Sequence, residues 1–271
     1  MKRKALTALI AAPLATAAVA QTAAPTPAPA DDHPVIELRQ YKIVAGRRDD
    51  MIALFDREFV ESQEALGARL VGQYRDLDDA NRFTWIRAFP RMAARADSLN
   101  AFYFGPVWQA HRNEANPLLD DNDNVLLLRP AWAESGFAAP SGTRTAIGAA
   151  PSPAGTVVAT IYYLWKNPDE GFALFFHDRV APRLAAAGLP MLGAYVPEAQ
   201  PNNFPRLPVR QGEKLLVWFT RTADRAAFDR AMARLARGAE WRREIAPGLA
   251  DAQVRPAQVL HLAPTPRSLL R

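Results

Sequence analysis

The chain has 271 residues, with 33 Lys and Arg against 28 Asp and Glu, and it contains no cysteine. The missing cysteine excludes disulfides, thiolate metal sites and cysteine nucleophiles. Charges of both signs are interspersed, and without Lys2, Arg3 and Lys4 the balance is 30 basic to 28 acidic residues, so the dense basic footprint of a nucleic-acid binder is absent.

Lys2, Arg3 and Lys4 precede an apolar run rich in Ala and Leu that ends in Ala18-Val19-Ala20. This pattern predicts a signal peptide over residues 1–20, cut before Gln21, and hence an exported chain in the periplasm or medium. The run is interrupted by Pro13 and falls short of the roughly 20 apolar residues a membrane span needs. A Pro- and Ala-rich tether follows over 21–34, and a second such stretch over 131–155 reads as a flexible linker.

Between them, V-I-E-L-R-Q-Y-K-I alternates as a strand over 35–43. Helical spacing of Ile52, Phe55, Phe59 and Leu66 predicts a helix over 48–66; strands are expected over 69–77 and 83–89. A helix over 92–119, broken near Gly105-Pro106, and a strand over 125–129 complete the unit. The order βαββαβ recurs beyond the linker: strand 157–164, helix 170–187, strands 191–196 and 215–220, helices within 223–245, strand 258–262.

The two segments, 35–130 and 156–264, also match in sequence. A-L-F-D-R-E-F-V from Ala53 matches A-L-F-F-H-D-R-V from Ala173, and L-V-G-Q-Y from Leu70 matches M-L-G-A-Y from Met191. F-P-R-M-A-A-R from Phe89 matches F-T-R-T-A-D-R from Phe219, Trp108 falls against Trp241, and V-L-L-L-R-P from Val125 falls against V-L-H-L-A-P from Val259. On this alignment repeat two is nine residues longer between Tyr195 and Phe219. The expected fold is α+β: two tandem ferredoxin-like repeats whose bare sheet faces clasp each other within one chain, followed by a short tail over 265–271.

The E-L-R-x-Y first strand, L-V-G-x-Y second strand, F-x-R-x-A-x-R corner, Trp108 helix and closing V-L-L-L-R-P resemble the NIPSNAP family, and the likeness spans nearly all of 35–264. Repeat one carries the fuller pattern; in repeat two A-T-I-Y-Y-L-W replaces E-L-R-Q-Y-K-I. The resemblance implies a dimeric α/β barrel, a superfamily that also contains cofactor-free monooxygenases and haem-processing proteins. It implies no activity.

Alternation puts Glu37, Arg39 and Tyr41 on one face of the first strand, with Gln73, Trp85 and Arg87 in matching positions on the next two. With the aliphatic side assigned to the helices, these six are expected to line a polar, aromatic lumen between the sheets. Such a lumen is suited either to a small organic ligand or to an internal ion-pair network. His261, flanked by Leu260 and Leu262, is expected to project to the face opposite those leucines, into the barrel, and is the first candidate ligand should the chain hold haem; otherwise no cofactor or metal is expected. His111 shares a helical face with Trp108 and reads as a rim residue. Asp120 to Asn124 lacks the central glycine and final glutamate of a calcium loop.

The connection P-N-N-F-P-R-L-P-V-R-Q-G-E-K, starting at Pro201, is too apolar for a solvated loop and too rich in proline for a strand. Phe204, Arg206 and Arg210 mark it as a lid over one end of the lumen or as a staple between the repeats. No hydrolase, NTPase, nicotinamide or zincin motif occurs. Two functions follow: an exported, non-catalytic binding or scaffold module, or a cofactor-free oxygenase-like enzyme with Glu37, Tyr41, Trp85 or His261 as acid-base or positioning groups. Mixed-charge helices would also permit a homo-oligomer.

Overall fold

The computed structural model describes residues 32–140, 142–150 and 155–271. The expected signal peptide lies outside them. Repeat one comprises β1 (Val35–Ile43), α1 (48–64), β2 (Arg69–Asp76), β3 (Arg82–Phe89), α2 (Met92–Tyr103), α3 (Pro106–Ala115), the short β4 (Leu119–Asp121) and β5 (Val125–Pro130). Repeat two comprises β6 (Thr156–Tyr163), α4 (172–186), β7 (Met191–Pro197), β8 (Leu215–Thr222), α5 (Arg225–Arg237), α6 (241–252) and β9 (Gln258–Pro264). Three-residue β4 is too short to alternate visibly, and α6 runs beyond its expected end through Pro247, the second residue of the α-helical segment that follows its π-turn.

Each repeat forms an antiparallel sheet, ordered β2-β3-β1-β5 in the first and β7-β8-β6-β9 in the second. The sheets join where β2 meets β9 and β5 meets β7, closing an eight-stranded barrel whose ladder has no free edge. Ile36, Leu38, Ile86 and Leu126 meet Val157, Ile161, Phe219 and Leu262 in one continuous apolar core inside the barrel. The helices cover the outside: α1–α3 over the first sheet, α4–α6 over the second. Among the described residues no helix is long and apolar enough to cross a membrane.

The interior therefore takes the aliphatic side of β1, the reverse of the sequence assignment. Alternation says which side chains share a face but not which face turns inward. Two apposed sheets offer only one another's side chains, so the aliphatic set fits there, whereas Glu37, Arg39 and Arg87 need the polar partners that helices and loops bring.

Ladder register also corrects the repeat alignment. Gly72 pairs with Ile86 and Gly193 with Phe219 at the same bulge, so Ile86, not Phe89, is the counterpart of Phe219. The offset is 121 at Tyr74 and Tyr195 and 133 at Ile86 and Phe219, which makes the second β-hairpin connection twelve residues longer rather than nine.

Nor is the linker a free tether. Phe137 is buried in the barrel core, with ring centroids 4.9 Å from Tyr195 and 5.0 Å from Phe219, and its N–H donates to the Tyr195 hydroxyl at 2.7 Å. The C-terminal tail mirrors it on the other repeat, where the Tyr74 hydroxyl donates to the Leu270 carbonyl at 3.0 Å.

Candidate functional site

The layer between the first sheet and its helices holds a buried charge cluster. Glu37 Oε2 accepts from Arg39 Nη1 and Arg87 Nε, and Oε1 accepts from Arg95 Nε, each at 2.7 Å. All four side chains are fully buried. One carboxylate faces three guanidinium groups, so the cluster carries a net charge of +2 out of contact with water. Burial pushes the Glu37 carboxyl up, but the combined attraction of Arg87, Arg39 and Arg95 outweighs it and holds the group well below the usual carboxylate range.

The remaining donors are distributed over three elements. Arg87 Nη1 donates to Gln63 Oε1 of α1 at 2.8 Å, and Gln63 Nε2 donates back to the Phe59 carbonyl at 2.7 Å. Arg39 Nε donates to the Tyr41 hydroxyl at 2.8 Å. Burial, opposed by Arg39, leaves the Tyr41 phenol pushed up to about 12. Arg95 Nη1 donates to Asn203 at 2.6 Å and Asn202 at 3.0 Å, both on the long β7–β8 connection. The Trp85 ring lies close to two guanidinium groups, its centroid 5.4 Å from Arg39 and 5.2 Å from Arg87.

Beside this cluster lies a cavity of about 370 Å³. Tyr41 and Trp85 contribute from the sheet; Phe55, Phe59, Phe102, Tyr103 and Trp108 contribute from the helices. A π-helical turn at Phe55–Phe59 lets both phenylalanines of α1 reach it, Phe55 edge-on to Trp85 at 4.8 Å and Phe59 against Trp108 at 5.7 Å. Arg112, Asn113, Asn116 and Arg206 occupy the exposed mouth, and neither of these arginines has an ion-pair partner among the described residues. A wider depression of about 750 Å³ between β8 and α5 is an open arginine-lined groove without this buried network.

Five of the sequence-predicted residues, Glu37, Arg39, Tyr41, Trp85 and Arg87, thus come together, but beneath the helices rather than in a barrel lumen. Gln73 is paired with Trp85 on the same face, fully buried, with neither amide atom hydrogen-bonded. His261 lies elsewhere: it faces α5 of repeat two, edge-on to Phe228 at 5.7 Å, with Nδ1 at 2.7 Å from Asp78. It turned away from the barrel because Leu260 and Leu262 took the interior. Among the described residues no group of three or more His, Asp or Glu could hold a metal ion. His111 sits at the rim, 3.2 Å from Glu58.

The Pro201 connection crosses onto repeat one. Phe204 is buried and stacks on Tyr103 at 5.7 Å, Leu207 lines the cavity, and the Arg206 guanidinium lies 5.1 Å from the Phe104 ring. Arg210 is further off, bound to Glu213 at 2.7 Å and to Asn124 at 3.1 Å.

Gln63, Arg95, Tyr103, Asn202 and Asn203 escaped the sequence reading. Arg95 did leave a trace, since it interrupts the apolar stripe Met92, Leu99 and Phe102 on the buried side of α2.

Repeat two carries no such cluster. Register equates Glu37 with Val158, Arg39 with Thr160, Gln73 with Ala194 and Arg87 with Thr220, while Tyr41 and Trp85 keep Tyr162 and Trp218. Aligning α2 with α5 at their first residues sets Arg95 against Phe228. The second layer is an apolar core, and among the described residues no fully buried carboxylate–guanidinium pair lies in it.

A closed eight-stranded barrel built from two βαββαβ halves, each with helices outside, defines the dimeric α/β barrel class, here formed within one chain. Residues 36–134, the stretch of repeat one, match the NIPSNAP family model. Solved structures share the whole architecture. A candidate monooxygenase from Lactobacillus acidophilus NCFM is 16% identical, with a TM-score of 0.51 over 86% of this chain and 94% of its own. One from Fusobacterium nucleatum is 10% identical, at 0.54 over 86% and 92%. An anthrone oxidase-like protein is 9% identical, at 0.51 over 87% and 92%. At these identities the likeness is one of fold. No curated protein matches the sequence.

Proposed function

We propose that this chain is an exported small-molecule-binding module whose site is the sheet–helix cavity of repeat one, and that its ligand is a small organic anion with a flat aromatic body. The observation that carries this is the aromatic cavity beside a buried cluster of net charge +2. Aromatic walls favour a planar body, the uncompensated guanidinium charge favours an anion, and Arg112 and Arg206 at the mouth would speed its capture. Export rests on the signal pattern over 1–20 and is checked by cell fractionation and the N-terminal mass of the mature protein, expected to begin at Gln21.

Native mass spectrometry of protein purified from its own compartment should show a retained organic anion. With the emptied protein, 2-naphthoate should quench tryptophan fluorescence at lower concentration than naphthalene; equal affinity for the two would overturn the reading.

A second reading is cofactor-free oxidation of such a ligand by O₂, favoured by the fold shared with candidate monooxygenases and the anthrone oxidase-like protein. In it Glu37 is not a base, because three arginines hold it ionised. Oxygen uptake on adding ligand would select this reading over simple binding.

A further inference from the structure

Three residues stand in a row across β1, β3 and β2 on the face beneath the helices: Arg39 is paired with Trp85, and Trp85 with Gln73. Each is at least 98% buried and each has a nitrogen without a hydrogen-bond partner, namely Arg39 Nη2, Trp85 Nε1 and Gln73 Nε2. A buried donor left unmade is costly, and of these three in register Trp85 lines the cavity while Arg39 and Gln73 flank it on the neighbouring strands. In repeat two Trp218 Nε1 has no standard hydrogen bond either, but the Tyr162 hydroxyl stands beside it. In repeat one the equivalent hydroxyl of Tyr41 is occupied by Arg39 Nε, which leaves Trp85, a cavity-lining residue, with its N–H unclaimed.

The way Arg39 is engaged selects among anions. Its Nε is bound to Tyr41 and its Nη1 to Glu37, so Nη2 alone of the three guanidinium nitrogens has no partner. A carboxylate, which is best held by two parallel N–H groups, finds no fork here. A single oxygen does find donors, Nη2 and the indole N–H. Accepting the cavity reading above, we propose that the row of Arg39, Trp85 and Gln73 receives a phenolic or enolic oxygen of the ligand, bound as its anion. On binding, the ligand O–H bond breaks, the electron pair stays on oxygen and the proton passes to bulk water. No oxidant is consumed and Glu37 stays ionised throughout.

The test uses 4-nitrophenol, whose phenolate is yellow and whose phenol is not, with 4-nitroanisole and 4-nitrobenzoate as controls, all read by tryptophan quenching. The full mature chain should bind the phenolate at least about tenfold more tightly than the phenol, the lower end of what hydrogen bonds to a charged group contribute. The bound probe should therefore yellow at lower pH than the free one, and nitrobenzoate, which gains only the general pull of the cluster's charge, should bind more weakly than the phenolate. Trp85→Phe keeps an aromatic ring at the wall and removes the N–H, so it should cut the ratio of phenolate to phenol affinity several-fold, whatever the smaller ring does to the affinity of both. Gln73→Leu serves as a second variant should Trp85→Phe fold poorly, with a smaller loss of preference expected. Unchanged preference in the folded variants, or a preference for nitrobenzoate, overturns the receiving row and leaves the cavity standing. Failure of all three probes to quench removes the cavity reading and this proposal with it.

Discussion

Arg95 and Asn203 belong to different repeats, and Arg95 Nη1 donates to Asn203 Oδ1 at 2.6 Å. The innermost arginine of the first repeat is thus held by the extra connection of the second, and Asn203 in turn donates to the Met92 carbonyl at the start of the helix that carries Arg95. The half of the barrel without a charge cluster supplies the cover for the half that has one.

That connection divides into a buried part and a rim part, which should respond differently to truncation. Phe204→Ala should cost about 3–5 kcal/mol, as for other buried aromatics, because its ring fills the space against Tyr103. Arg206→Ala, at the exposed mouth, should change stability by less than about 0.5 kcal/mol. Its effect should instead appear as slower ligand capture with a weaker dependence on salt. Urea unfolding and stopped-flow binding measure the two. A large stability loss for Arg206→Ala would make the whole connection a staple.

The charge cluster should be dispensable for folding as a unit and indispensable in parts. Glu37→Gln removes the carboxylate that three buried guanidinium groups share and should destabilise by about 3–5 kcal/mol. Replacing the set by what repeat two carries, as Glu37→Val, Arg39→Thr, Arg87→Thr and Arg95→Phe together, should restore most of that loss and abolish anion binding. Differential scanning calorimetry on both proteins checks the order. A quadruple variant less stable than Glu37→Gln would mean that the cluster is there for stability.

The fold was legible because its signals are local: alternation, helical spacing, a repeated L-V-G-x-Y and a long Pro-rich insertion. Even the residues of the cluster could be picked out, since Glu37, Arg39 and Arg87 are charges on strands otherwise rich in apolar groups. Their direction could not, because inward and outward are properties of the closed barrel and not of one strand. Arg95, Asn202 and Asn203 were hidden for the same reason; their meeting depends on a connection in one repeat reaching a helix in the other. His261 was misdirected by the same inversion.

The repeated glycine has a steric reason that invites a direct test. At Gly72 an added Cβ would fall 2.0 Å from the Tyr74 hydroxyl oxygen and 2.4 Å from its ring carbon, because the tyrosine lies back across the bulge. At Gly193 the same atom would stand 2.9 Å from both Phe137 and Tyr195. Gly72→Ala must displace Tyr74 from its bond to Leu270 and should lower stability by about 1–3 kcal/mol. Gly193→Ala should do so less, since its contacts are looser. Denaturant midpoints decide, and the reverse order would contradict the packing.

Asp56, within the π-turn of α1, should make stability depend on pH in a defined direction. Burial pushes its carboxyl from 3.8 up to about 6, against the pull of Arg267 and Arg144, and its Oδ1 has no hydrogen-bond partner. Between those values the native protein holds a proton that the unfolded chain has released, so the native state binds more protons and stability must fall as pH rises through the window. Above about 6 the full penalty of ionised Asp56 persists; below 3.8 both states are protonated and it vanishes. Asp56→Asn removes the ionisation without changing the shape. The variant should therefore match the parent at the acid end and become progressively more stable than it towards neutral pH. Urea unfolding of both proteins at several pH values isolates this group, since other carboxylates contribute alike to each. A stability difference that shrinks with rising pH would show that Asp56 is favoured as the anion, by the two arginines, after all.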